Sequence, residues 1–125
     1  MNYDLRQAQA HFAAKQSFTT GPHELSGTID RKEDIVIVDV RFPSDFRKGH
    51  VPGAVNLPKG KWHEPAGLSK EKLNVLYCYT QTCHMAAEAA LELLALGYPV
   101  VEMEGGFSTW EANSYPIATP QPQAA

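Results

Sequence analysis

The two cysteines of this 125-residue chain share one short stretch, "LYCYTQTCHMAA" at 76–87. Cys78 ends the apolar run "KLNVLYC", and Cys83 stands just before an Ala-rich segment. Two thiols so placed suit a nucleophile with a helper, a redox pair, half of a metal site, or two unrelated packing residues. A thiol between a strand end and a helix N-terminus meets inward-turned backbone N–H groups and the positive end of the helix dipole. Both favour an anion, so the Cys78 pKa is expected below the ~8.5 of a free thiol. Tyr79, Thr80, Gln81, Thr82, Cys83 and His84 would form the cradle for whatever anionic group the sulfur carries. The competing reading makes Cys78 a small buried hydrophobe at a strand end.

Cys83 lies five residues further on. It is a candidate resolving thiol, able to fold back and close a disulfide with Cys78 once that sulfur is oxidised. The alternative is a first helical residue pointing into packing or solvent, because a tight cradle splays its side chains outwards. Zinc would need two more ligands at tetrahedral distance. His84 is adjacent and His50 and His63 are available, but their spacing demands no metal. Neither a metal nor an organic cofactor is expected.

The elements that must hold this loop are legible along the chain. Residues 3–16 read as a weakly amphipathic helix with Leu5, Ala8 and Phe12 on one side. A short strand near Phe18, a turn at Gly21-Pro22 and one or two helical turns follow. "DIVIVDV" at 34–40 is a β-branched run of the kind buried on both faces of a parallel sheet. "GAVNLP" at 53–58 and "KLNVLYC" at 72–78 are further strands. Cys83 to Leu96 reads as a helix with Met85, Ala89, Leu93 and Leu96 on one face, stopped by Gly97. "PVVEME" at 99–104 is the last strand, and Phe107 to Ala112 a short final helix. Alternating strands and helices call for an α/β fold, a parallel sheet with helices on both faces. In such sheets the working site lies at the carboxyl ends of the strands. Asp39 and Arg41, Cys78, and Glu104-Gly105-Gly106 all fall on that edge.

The bulk composition bounds the answer. A formal charge of -3 leaves no basic surface to suggest nucleic acid. No apolar run approaches the ~20 residues of a membrane span. The N-terminus lacks the basic flank and apolar core of a secretory signal, so a reducing cytoplasm is expected. One domain over 1–117, including the added N-terminal helix, is expected, with 118–125 as a flexible tail.

Asp39-Val40-Arg41, Phe46, Gly49-His50-Val51-Pro52-Gly53-Ala54, Cys78, and Gly105-Gly106 followed by Trp110 stand in the order and spacing of a known family. Over roughly 34–117 the chain resembles the rhodanese-like sulfurtransferases. The resemblance implies a single domain with a five-stranded parallel sheet flanked by helices on both faces. It implies that Cys78 carries sulfur as a persulfide, held by the amides of Tyr79 to Cys83. The partners would be a small-molecule or protein sulfur donor and a thiol acceptor. The phosphatase and arsenate-reductase relatives have a loop one residue longer, closed by arginine. Here His84 holds that position and Tyr77, not histidine, precedes the cysteine. Many active sulfurtransferases of this family carry a cation within the loop. "YTQTC" has none, so thiosulfate is expected to be a poor donor.

Asp39 and Arg41 are supporting residues, either accepting loop hydrogen bonds and tying the strand to a neighbouring loop, or forming a structural ion pair. His50 is expected to be a structural histidine. Trp62 and His63, in "KGKWHEPAGLSKE" at 59–71, are candidates for one wall of the entrance, with surface packing as the alternative for Trp62. The leading function is a sulfurtransferase using Cys78. A thiol-redox protein using Cys78 and Cys83, and a non-catalytic binding module of the same fold, are the alternatives. Oligomeric state is not legible.

Overall fold

The computed structural model describes residues 1–120. Ten elements follow in chain order: α1 (Leu5–Phe18), β1 (Thr19–Thr20), α2 (Pro22–Asp30), β2 (Ile35–Asp39), α3 (Pro43–Lys48), β3 (Val55–Asn56), β4 (Leu73–Tyr77), α4 (Met85–Ala95), β5 (Val100–Met103) and α5 (Gly106–Ala112). The strands form one five-stranded sheet in the order β1-β5-β4-β2-β3. Every pairing is parallel. The α/β class and the five-stranded parallel sheet expected from the sequence are therefore present.

The β-branched run supplies β2 because such side chains fit a pleated surface buried on both sides. Its neighbour β4 is central, paired with β2 from Ile35–Leu73 to Asp39–Tyr77 and with β5 from Asn74–Val100. Alternation along β4 divides the core into two layers. Val75 and Tyr77 join Leu25, Met103, Phe107 and Trp110 on one face. Leu76 and Cys78 join Val38, Trp62, Ala89 and Leu93 on the other. The β4 entrance is fixed by the buried Asn74, whose Nδ2 donates to the carbonyls of Ser69 (2.7 Å) and Pro99 (2.9 Å).

Four local expectations are corrected. The helix after the cysteines begins at Met85, not Cys83, because the Cys83 N–H donates to the Thr80 carbonyl in a three-residue turn at 3.2 Å. Its buried row is Ala86, Ala89 and Leu93, whereas Leu96 is exposed. Helix α3, missed in the sequence, carries its own signals: Pro43 in the first turn, Asp45 near the start, Arg47 and Lys48 at the end. Helix α1 is capped by Asp4, whose carboxylate accepts from the amides of Arg6 and Gln7, yet it buries no residue. The supposed apolar side of that helix is uncovered, with Leu5 and Phe12 exposed. The tail begins later than its sequence suggests, since Ala118 pairs with His50 through two backbone hydrogen bonds. Residues 121–125 of the expected tail lie outside the described residues.

Candidate active site

Cys78 follows the last residue of β4 and is 3% exposed, with Ala86 of α4 in the same buried cluster. Its sulfur is joined to that of Cys83 as a disulfide, with the two Cα atoms 6.5 Å apart. The loop between them is compact enough for the second thiol to reach the first. Cys83 is half-buried, while Thr80, Gln81, Thr82 and His84 are exposed. The amide of Cys83 is spent on the Thr80 carbonyl. Those of Tyr79, Thr80, Gln81 and Thr82 donate to no backbone carbonyl among the described residues.

The loop is held from below and from both sides. The first amides of α5 anchor it: Phe107 N–H donates to the Cys78 carbonyl and Ser108 N–H to that of Tyr79, each at 2.9 Å. Such close approach requires glycine at 106. A Cβ there would lie 2.7 Å from the Thr80 nitrogen and 2.9 Å from the Cys78 oxygen, and φ is +65°. On one side, Tyr79 turns away from the sulfur. Its hydroxyl donates to Asp45 Oδ2 at 2.5 Å and accepts from the Phe42 N–H at 3.1 Å. Burial, then the Asp45 bond, raises the phenol pKa. On the other side, Gln81 Oε1 accepts from the Gly105 N–H, and its Nε2 lies 3.4 Å from Glu104 Oε2. Glu104 in turn pairs with Lys15 of α1 at 3.7 Å. The hydroxyls of Thr80 and Thr82 face each other at 3.4 Å, and His84 occupies the N-cap of α4.

Asp39 and Arg41 sit side by side in the interior, 0% and 4% exposed. Arg41 Nε donates to both carboxylate oxygens at 3.1 Å, and Nη2 to Oδ2 at 2.8 Å and to the Gly49 carbonyl at 2.6 Å. Its guanidinium lies over the Phe107 ring, 4.1 Å from the centroid. Burial alone would lower the Arg41 pKa, but the Asp39 carboxylate outweighs it and the net shift is upward. Tyr77 completes the cluster. Its hydroxyl donates to Asp39 Oδ2 at 2.7 Å and accepts from the Val51 N–H at 3.0 Å. Burial, then the Asp39 charge, drives the Tyr77 pKa far above that of a free phenol, so it stays neutral. The pair is thus both an ion pair and a tie to the 49–51 turn. Nearby, His50 stacks on Phe46, with centroids 3.8 Å apart, and its Nδ1 lies 2.8 Å from the Phe46 carbonyl.

Beside the disulfide is a narrow pocket of about 10 Å³, bordered by Cys78, Cys83, Gln81, Glu102, Glu104 and Gly106. Its charged members are two carboxylates. Glu102 is half-buried, and burial followed by the Glu104 charge raises its pKa, with His84 opposing. Trp62 does not form an entrance wall. It is 5% exposed in the core, and its indole N–H donates to the Leu57 carbonyl at 2.9 Å. His63 is exposed. Among the described residues, no group of three or more His, Cys, Asp or Glu could hold a metal ion. Sequence reasoning missed Glu102 and Asp45. The signal for Glu102 was there: a lone charge at the centre of "VVEM", a strand otherwise apolar.

The profile of the rhodanese-like domain matches residues 21–113, and the chain belongs to that family. A Pseudoalteromonas translucida thiosulfate sulfurtransferase, GlpE, is 34% identical over 83 residues, 65% of this chain and 77% of its own. The Mycobacterium tuberculosis probable adenylyltransferase/sulfurtransferase MoeZ is 32% identical over 83% of this chain, which spans only 27% of that protein. A solved Bacillus halodurans protein superposes with a TM-score of 0.84 at 30% identity, over 93% of this chain and 87% of its own. No helix of the described residues is long and apolar enough to cross a membrane.

Proposed function

We propose that this chain is a sulfurtransferase that moves a sulfane sulfur from a donor to a thiol through a persulfide on Cys78. The Cys78 thiolate attacks the outer sulfur of the donor, the donor's remaining thiolate departs, and Cys78–S–S⁻ is left. The amides of Tyr79 to Thr82 then stabilise the terminal sulfur, helped by the α4 N-terminus. An acceptor thiolate attacks that sulfur and regenerates Cys78. Asp39, Arg41, Gly105 and Gly106 act as positioning residues beneath the loop. A reducing cytoplasm would keep Cys78 ready for a new cycle.

The observation that carries this reading is the seat of Cys78: buried, at a central strand end, under a loop whose carbonyls are anchored and whose amides are left over. The charge of the rim selects among donors. With Glu102 and Glu104 bordering the pocket and no cation in the loop, an anionic donor such as thiosulfate forgoes charge-assisted hydrogen bonds of ~1.5–3 kcal/mol each. A low-molecular-weight or protein persulfide is the better donor. Steady-state sulfur transfer to a thiol acceptor tests the proposal. Activity with glutathione persulfide that vanishes in Cys78→Ser supports it. Equal activity in Cys78→Ser, or a Michaelis constant for thiosulfate as low as for the persulfide, contradicts it.

A further inference from the structure

The bond between Cys78 and Cys83 has a consequence for the fate of the carried sulfur. In a persulfide the inner sulfur is Cys78 Sγ itself, the atom that Cys83 Sγ reaches in this structure. A thiolate that reaches the inner sulfur displaces the outer one, whereas a thiolate that reaches only the outer one accepts it. We infer that Cys83 discharges the Cys78 persulfide internally, releasing hydrogen sulfide and leaving the Cys78–Cys83 disulfide. The inference rests on the reading of Cys78 as the sulfur carrier.

The step balances without an outside oxidant. The Cys83 thiolate attacks Cys78 Sγ, the Cys83–Cys78 bond forms and the bond to the outer sulfur breaks. The electron pair leaves with the outer sulfur as hydrosulfide, which takes the proton given up by Cys83. The sulfane sulfur is reduced to sulfide and the two cysteine sulfurs are oxidised to the disulfide. A second cycle then needs a thiol or dithiol reductant, which is oxidised to its own disulfide.

Two further features fit a discharged state. The pocket beside the disulfide offers about 10 Å³, and a cavity needs about 10–15 Å³ to hold one water. With the disulfide closed, the pocket is therefore no larger than about one water. Gln81, meanwhile, is latched to Gly105, which holds the closed loop against α5 without help from Cys83. The protein would thus alternate between an open dithiol that accepts sulfur and a closed disulfide that does not.

The test is a single loading of the fully reduced protein. Glutathione persulfide is added and removed by rapid desalting with no acceptor thiol present. Free sulfide is measured above a donor-only background, and intact masses are taken. Wild type should yield one sulfide per chain and lose two hydrogens. Cys83→Ser and Cys83→Ala should keep the added sulfur and release no sulfide above background. The inference is overturned if wild type also keeps its sulfur, even though transfer to an added thiol then proceeds and the carrier reading stands. If neither Cys83 variant takes up sulfur while both remain folded by circular dichroism, the carrier reading falls and this inference with it.

Discussion

Replacing Gly106 with alanine places a methyl group against the backbone of the cysteine loop. The new Cβ would sit 2.7 Å from Thr80 N and from the Tyr79 carbonyl carbon, and 2.9 Å from Cys78 O, all atoms that cannot rotate away. The φ of +65° adds a left-handed penalty. An L-residue there costs about 1–2 kcal/mol, and forced overpacking typically costs about 1–3 kcal/mol. Together the loss is about 2–5 kcal/mol, within the ~5–15 kcal/mol of an ordinary domain, so the variant should fold. The loop must retreat by several tenths of an ångström. A 1 Å misplacement can cost ~10²-fold, so transfer should slow roughly tenfold. Gly105→Ala is the strain comparison, with a smaller rate loss expected because Gly105 reaches the loop only through the Gln81 side chain. Its φ is +87°, but its Cβ meets the Thr109 side chain instead of the loop. Denaturant unfolding and sulfur-transfer rates measured on both variants separate strain from displacement. A Gly106→Ala protein with wild-type stability and rate would refute the reasoning, as would an equal rate loss in Gly105→Ala.

Tyr77→Phe removes the partner of the Val51 N–H and one donor to Asp39. Denaturant unfolding should show a loss of about 1–3 kcal/mol, and a loss below about half a kilocalorie would contradict the buried network. Asp39→Asn leaves the Arg41 guanidinium buried without its countercharge, and should cost about 3–5 kcal/mol. Arg41→Met together with Asp39→Asn should recover part of that loss; no recovery would count against the ion pair. Glu102 carries a raised pKa from burial and Glu104. Its ionised form is therefore disfavoured by folding, a penalty absent below the ordinary glutamate pKa and growing as pH rises through the folded value. Glu102→Gln should stabilise the protein at neutral pH, and the gain should fade in acid. Thermal melts across pH decide it, and a gain that persists unchanged at low pH would refute the assignment.

The strands were legible because a parallel sheet buried on both faces writes its own pattern: "IVIVD" and "LNVLY" have few other uses in a soluble chain. The place of Cys78 followed from the carboxyl-edge rule for such sheets. What local patterns could not supply was long-range. Trp62 looks like a surface aromatic beside His63, yet the 57–62 turn folds it into the α4 side of the core. The Asp45 contact that turns Tyr79 away from the sulfur spans 34 residues. The helix start moved from Cys83 to Met85 because the turn that lets Cys83 reach Cys78 takes precedence over helix propensity. Helix α1 has a good cap and good helix formers, so it forms, but its apolar residues find no cover in this chain.

The central claim is that Cys78, and no other group, carries sulfur. The most direct measurement is the intact mass of Cys83→Ser after brief exposure to glutathione persulfide and desalting, since that variant lacks the thiol proposed to discharge the sulfur. The account predicts a gain of one sulfur atom, mapped by peptide mass spectrometry to Cys78, removed by dithiothreitol and absent when Cys78 is also replaced by serine. A folded Cys83→Ser protein that gains no sulfur, or a gain that survives the loss of Cys78, would contradict it.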